Sequence, residues 1–179
     1  MTQVGTVYGD ALYDLAKSEN LAEALLSQLS SLSQSFQQEP DFLRLLSAHN
    51  ISKAERCQIL DACFRDKCHA YVLNFLKILT EKGYARHFED CYAAYRQRYD
   101  LDNGILAVTA VTAVPLSENQ SARLSEKLSG ITGKTIRLTN RIDPSCIGGI
   151  RLDYDGKRLD DTVSHRLSSI RSTLKSAVL

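Results

Sequence analysis

The chain has 179 residues, 44% of them hydrophobic and 24% charged, with a formal net charge of +1. That size supports one ordinary domain or two small ones, and the near-neutral balance excludes the strongly basic footprint of a nucleic-acid binder. No apolar run approaches the roughly 20 residues that span a bilayer.

The opening Met1-Thr2-Gln3-Val4-Gly5 has neither the basic nor the apolar region of a signal peptide. Five cysteines with no Cys-x-x-Cys predict reduced thiols in a cytosol-like compartment. Any membrane association is then expected through a partner.

Up to Asn103 the periodicity is helical. Val4, Val7, Tyr8, Ala11, Leu12 and Leu15 form a first stripe, and Leu21, Leu25, Leu29, Leu32 and Phe36 a second. Pro40 suits the first turn of a short helix over Asp41–Leu46. Ser52 and Glu55 make a capping box for a fourth helix bearing Ile59, Leu60, Cys63 and Phe64. A fifth runs from Ala70 to Lys82 and stops at Gly83. A sixth carries Phe88, Cys91, Tyr92, Tyr95 and Tyr99. Short connections between six helices predict a compact bundle over residues 1–103.

From Gly104 the pattern changes. Ile105–Val114 is β-branched and apolar on both faces, as a central strand is. Pro115 ends it, and Ser117 with Gln120 forms a capping box for a helix bearing Leu124, Leu128 and Ile131. That helix stops at Gly133. Thr135–Asn140 reads as a second strand with Ile136 and Leu138 inward. Asp143-Pro144-Ser145-Cys146-Ile147-Gly148-Gly149-Ile150 is a shaped entry into a third. Asp155-Gly156 is a hairpin turn before a return strand over Lys157–Leu159. Asp160 or Asp161 can cap a last helix bearing Val163, Leu167, Ile170, Leu174 and Val178. The order β-α-β-β-β-α over residues 104–179 makes the chain α+β. Residues 104–179 carry a net charge of +4 and residues 1–103 one of −3, too small a difference for a nucleic-acid surface.

No group of side chains has the matched roles that catalysis requires. The four histidines are His49, His69, His87 and His165. Cys68 and His69 are neighbours and point apart on a helix. Cys57, Cys63 and Cys68 lack zinc-ligand spacing. Gly148-Gly149 leads into a strand, whereas a phosphate loop opens a helix. Asp160-Asp161 suits a helix N-terminus. Tyr92, Tyr95 and Tyr99 lie at helical spacing and read as one core stripe. No enzyme, cofactor or metal is predicted. What remains is surface for partners, above all on the first and last helices, whose spacing suits helix-in-groove recognition.

Several stretches carry a family resemblance. Tyr8 to Ala16 looks like an opening Tyr-Ala-x-Ala-Leu helix, with Gly9 where alanine is usual. Asn74-Phe75-Leu76-Lys77-Ile78-Leu79, Ala113-Val114-Pro115-Leu116-Ser117, Gly133-Lys134 and the Asp143–Ile150 motif follow in family order. The closing Asp160–Leu167 segment has Thr162 in a usual serine place. Over essentially its whole length the chain resembles the delta subunit of the bacterial F-type ATP synthase, the counterpart of the mitochondrial oligomycin-sensitivity-conferring protein. His49, Arg56 and Tyr84 depart from the usual proline, lysine and arginine.

The resemblance implies a non-catalytic peripheral-stalk (stator) subunit of a proton-translocating F-type ATP synthase. It also implies a peripheral membrane protein on the cytoplasmic face of the bacterial cell membrane. The implied partners are the N-terminal helix of the alpha subunit for residues 1–103 and the C-terminal end of the b subunits for residues 104–179. Tyr8, Ala11, Leu12, Leu15, Leu73, Leu76 and Leu79 are then the candidate contacts for the alpha subunit. Val163, Leu167, Ile170 and Leu174 are those for the b subunits. A different reading of the residues is a helical domain fused to a βαββ-type RNA-binding module. Against it, the strands carry one aromatic, Tyr154, where stacking platforms need two or three.

Overall fold

The computed structural model describes residues 2–48 and 51–177, and side chains among them as far as Ile170. His49 lies outside the described residues. The fold is α+β and divides into two compact units, Met1–Tyr99 and Asp100–Leu179.

Six helices precede the first strand: α1 (Gln3–Ser18), α2 (Ala22–Gln38), α3 (Pro40–Leu46), α4 (Lys53–Phe64), α5 (Ala70–Lys82) and α6 (Phe88–Asp102). Local chemistry sets their ends. Thr2 Oγ1 caps α1 by accepting from the Gly5 N–H. Pro40 sits in the first turn of α3. Both hydrogen bonds of the Ser52–Glu55 capping box are present at the start of α4. His69 Nδ1 accepts from the Tyr71 N–H at 3.3 Å and caps α5, a role its sequence position does not announce. Gly83, at φ +79°, ends that helix.

The core of this unit is deep. Leu25, Leu29, Leu60, Val72, Phe88, Cys91 and Tyr95 are wholly buried. Phe36 meets the rings of Phe42, Phe64 and Phe88. Two polar side chains in this core pair directly. Tyr95 donates to the Ala22 carbonyl at 2.9 Å, and Ser33 to the Glu89 carboxylate at 2.9 Å. Arg56 donates through Nη1 to the Leu46 carbonyl at the end of α3. There a cation offsets the negative end of the helix.

The contact of α1 with α6 is unusually close. A Cβ on Gly5 would lie 2.4 Å from Asp90 Cβ, and one on Gly9 2.4 Å from the Cys91 carbonyl oxygen. Only glycine fits at either position without moving a backbone.

The second unit holds β1 (Ile105–Thr112), α7 (Glu118–Thr132), β2 (Thr135–Ile142), β3 (Ile150–Tyr154), β4 (Lys157–Asp160) and α8 (Val163–Ala177). The four strands form one mixed sheet in the order β2-β1-β3-β4. β1 pairs parallel with β2 and antiparallel with β3, and β3 pairs antiparallel with β4. An inner position explains the apolar character of β1, whose Val108, Ala110 and Val111 are buried. The strand stops at Thr112, short of the expected Val114, because Thr112 Oγ1 turns to donate to the Val114 carbonyl ahead of Pro115. Asn140 bridges β2 to β1, donating to the Ala110 carbonyl and to Thr112 Oγ1. The α7 capping box, Gly133 at φ +67° and the Asp155-Gly156 turn are all formed.

One expectation is corrected. Neither Asp160 nor Asp161 caps α8. Thr162 does, its Oγ1 accepting from the His165 N–H at 3.2 Å. Asp160 ends β4 and accepts from the Thr162 N–H and Oγ1, while Asp161 pairs with Arg166.

Candidate partner-binding faces

The structure separates the predicted contact residues of α1 and α5 into two groups. Leu12, Leu73, Leu76 and Leu79 are buried in the core of the first unit. In the unpartnered chain they are core residues, and their exposed area is too small for them to serve as the main surface anchors. The reason is geometric. Helix α5 buries Val72, Leu73, Phe75, Leu76, Leu79 and Thr80, so its inner face takes every leucine it has.

Tyr8, Ala11 and Leu15 remain accessible. Tyr8 is half-buried with its ring against Tyr84, Ala11 is exposed, and Leu15 is 41% exposed.

Helix α1 has two apolar faces. The inner one is Gly5, Gly9, Leu12, Tyr13 and Ala16. The other is Val4, Val7, Tyr8, Ala11 and Leu15, displaced by roughly a third of a turn at 100° per residue. It repeats at i, i+3, i+4 and i+7, as a docking stripe for another helix does. Val7, at 60% exposure, is more accessible than Leu15. On α5 the exposed apolar side chain is Ile78, at 45%. Neither Val7 nor Ile78 was among the candidate contacts. The signal for Val7 is the glycine pair: Gly5 and Gly9 mark the packed side of α1, and Val7 lies off it.

On α8, Val163, Leu167 and Ile170 are exposed, Leu167 at 55% and Ile170 at 58%. The side chain of Leu174 lies outside the described residues. Ser164 and Ser168 line a polar cavity with Ser145, Arg151 and Asp160 of the same unit. Val163 reaches toward Gly148, while Leu167 and Ile170 are left uncovered. Its base is fixed by main-chain contacts to the Asp143–Ile150 motif. The Val163 N–H donates to the Gly148 carbonyl at 3.0 Å, and the Asp161 N–H to the Ile150 carbonyl at 3.1 Å. Gly149, at φ +77°, lies so close that a Cβ would be 2.4 Å from the Asp161 oxygen.

The titratable groups do not make a reactive centre. Burial, reinforced by Asp90, pushes the Cys91 thiol up to about 11. Burial also raises Cys57 and Cys68. Such thiols stay protonated at neutral pH, the opposite of an activated nucleophile. Among the described residues no group of three His, Cys, Asp or Glu is placed to hold a metal, and no helix is long and apolar enough to cross a membrane.

Comparison with known proteins gives a consistent result. The model of a family described as the ATP synthase delta (OSCP) subunit matches residues 4–174. The ATP synthase subunit delta of Alkaliphilus metalliredigens is 30% identical over 172 residues, covering 96% of each chain. That of Moorella thermoacetica is 31% identical over 170 residues, covering 95% of each. A chain in the cryo-EM structure of the Toxoplasma gondii mitochondrial ATP synthase hexamer superposes with a TM-score of 0.75 at 22% identity. It covers 97% of this chain and 98% of that one, which shows a shared fold.

Proposed function

This chain belongs to the ATP synthase delta (OSCP) subunit family, and from that premise we propose how its two units do the work of a stator. It is a non-catalytic subunit of the peripheral stalk. Residues 1–103 act as a six-helix bundle that holds an N-terminal helix of the alpha subunit against the outer stripe of α1. Residues 104–179 hold the C-terminal end of the b subunits against the outward face of α8. Joining head to stalk in this way resists rotor torque, so that proton flow drives ATP synthesis. The chain reaches the cytoplasmic face of the membrane through the complex.

The observation that carries this reading is the pair of exposed apolar stripes, one in each unit. Val7, Ala11 and Leu15 form the first with Tyr8, and Leu167 and Ile170 form the second with Val163. Exposed apolar stripes at helical spacing mark sites for partner helices.

The test is a titration of the full chain with a peptide from the N-terminus of the alpha subunit. Saturable binding at micromolar peptide is expected, weakened at least tenfold by Leu15→Asp. No binding, or binding indifferent to Val7→Asp and Leu15→Asp, rejects the assignment. The matching experiment for α8 uses a peptide from the C-terminal end of the b subunits, with Leu167→Asp and Ile170→Asp.

A further inference from the structure

Apart from the two stripes, the second unit holds a polar cavity of about 220 Å³ walled by Arg151, Ser145, Asp160, Ser164, His165 and Ser168. Arg151 and Asp160 are direct cross-strand partners on β3 and β4, a placement in which opposite charges normally pair. No ion pair forms between them. The Asp160 carboxylate instead accepts from the Thr162 N–H at 3.0 Å and from Thr162 Oγ1 at 2.7 Å. Among the described residues, the one carboxylate within ion-pair distance of Arg151 is that of Asp153, 3.5 Å from its Nε, although the Arg151 charge also acts on Asp143 and Asp160. That distance is too long for a good hydrogen bond. The Arg151 side chain is 15% exposed, and its Nε is shut from solvent with no hydrogen-bond partner. A buried donor such as this Nε–H, left unmet, is costly.

We propose that this cavity is a site for a small tetrahedral oxyanion of the phosphate class, with Arg151 as its principal ligand. The Ser164 hydroxyl and the His165 ring complete the donor set, while the Ser145 and Ser168 hydroxyls already donate to the Asp143 carboxylate and the Ser164 carbonyl. Arg151, Ser164 and His165 thus offer donors from both β3 and α8. Asp160 gives selectivity. Its pKa is lowered, first by the Thr162 hydroxyl, so it stays ionised and acts only as an acceptor. Monohydrogen phosphate carries a proton to donate to it, and sulfate carries none. The cavity is smaller than the roughly 300–1,000 Å³ of drug-sized ligands. Its size suits a free ion or the phosphoryl end of an ester. This inference rests on the cavity and not on the stator reading.

The experiment follows backbone amide shifts of the full chain while inorganic phosphate is added at fixed ionic strength. Saturable shifts confined to residues 145–151 and 160–168 are expected in the millimolar range, with sulfate at least tenfold weaker. Arg151→Gln should abolish them, and His165→Gln should weaken them about threefold. Asp160→Asn should bring phosphate and sulfate together. Arg151→Lys keeps the charge but loses the fork, and guards against misfolding of the Gln variant. It should bind about tenfold more weakly, with the rest of the spectrum unchanged. Glycerol 3-phosphate, run beside phosphate, separates an ester from the free ion as the source. Shifts that never saturate, that match those from sulfate, or that persist in both Arg151 variants would overturn the proposal.

Discussion

The two units bury their apolar side chains very unequally. In Met1–Tyr99 most large hydrophobic residues close around one another, from Leu12 and Leu25 through Phe88 to Tyr95. In Asp100–Leu179 the buried hydrophobic residues among those described are Val108, Ala110, Val111 and Cys146. There α7 buries no residue, and Val114, Ile131, Ile142, Ile147 and Leu159 stand exposed beside the α8 stripe. The first unit is held by a filled core, the second by strand ladders, caps and tight turns. A small layer that leaves this much apolar surface uncovered has little core of its own.

The contrast predicts a ranked set of responses. Leu29→Ala, at a wholly buried site, should cost about 2–5 kcal/mol, whereas Val111→Ala should cost about 1–3 kcal/mol because fewer atoms are removed. Urea melts of the two variants, read by circular dichroism and by amide exchange in each unit, check this. Equal losses would erase the distinction.

Gly9→Ala comes next, at about 1–3 kcal/mol, since its Cβ would press into the Cys91 carbonyl. Thermal unfolding measures it. The substitution should leave protection of the strand amides unchanged, and it would weaken the account of the glycine seam if stability rose instead.

Acid should act on both units, at Glu55 and Asp90 in the first, held down by Ser52 and Thr2, as well as in the second, whereas alkali should act on the first. Asp143, Asp153 and Asp160 all have lowered pKa values, held down first by Ser145, Arg158 and Thr162 respectively. A lowered carboxylate adds stability above its unfolded pKa near 4, and that stability is lost as the pH falls through the folded value. Acid should therefore loosen the second unit. Burial raises Cys91, to about 11, and Tyr95. Their contribution is full below the unfolded values and is lost as the pH rises through the folded ones. Alkali, from about pH 9 upward, should loosen the first unit. Hydrogen exchange at pH 3 and pH 10 tests both signs.

The smallest effect is expected at the surface. Ile170→Asp should change stability by no more than about 0.5 kcal/mol, because its side chain is 58% exposed. A loss of several kcal/mol in a melt would mean that α8 covers its own unit after all.

Much of the local structure was legible because it depends on neighbours in sequence. The Ser52–Glu55 and Ser117–Gln120 boxes, the stops at Gly83 and Gly133 and the Asp155-Gly156 turn each need only a few adjacent residues. What depends on packing was harder to read. The stripe through Val4, Val7, Tyr8, Ala11 and Leu15 has stronger hydrophobic periodicity than the glycine face beside it, yet the glycine face is the one that packs. Periodicity counts apolar side chains and gives no weight to a face that works by having none. The leucines of α5 show the same limit, since a family resemblance suggests a contact without saying which leucines the core has claimed. The Thr162 cap was missed because two aspartates precede it, and only the end of β4 decides which oxygen meets the helix.

The clamp at the base of α8 has a mechanical consequence. A helix of 15 residues is a lever about 22 Å long. Here the lever's root is gripped by carbonyls and amides of the Asp143–Ile150 segment, with Gly149 pressed against the Asp161 oxygen. Main-chain grips survive most side-chain drift, so the outer residues of the lever are free to change with whatever they engage while its bearing and stiffness stay fixed. Gly149 is the exception. A side chain there would tilt the whole arm, displacing its tip by several times the shift at its root.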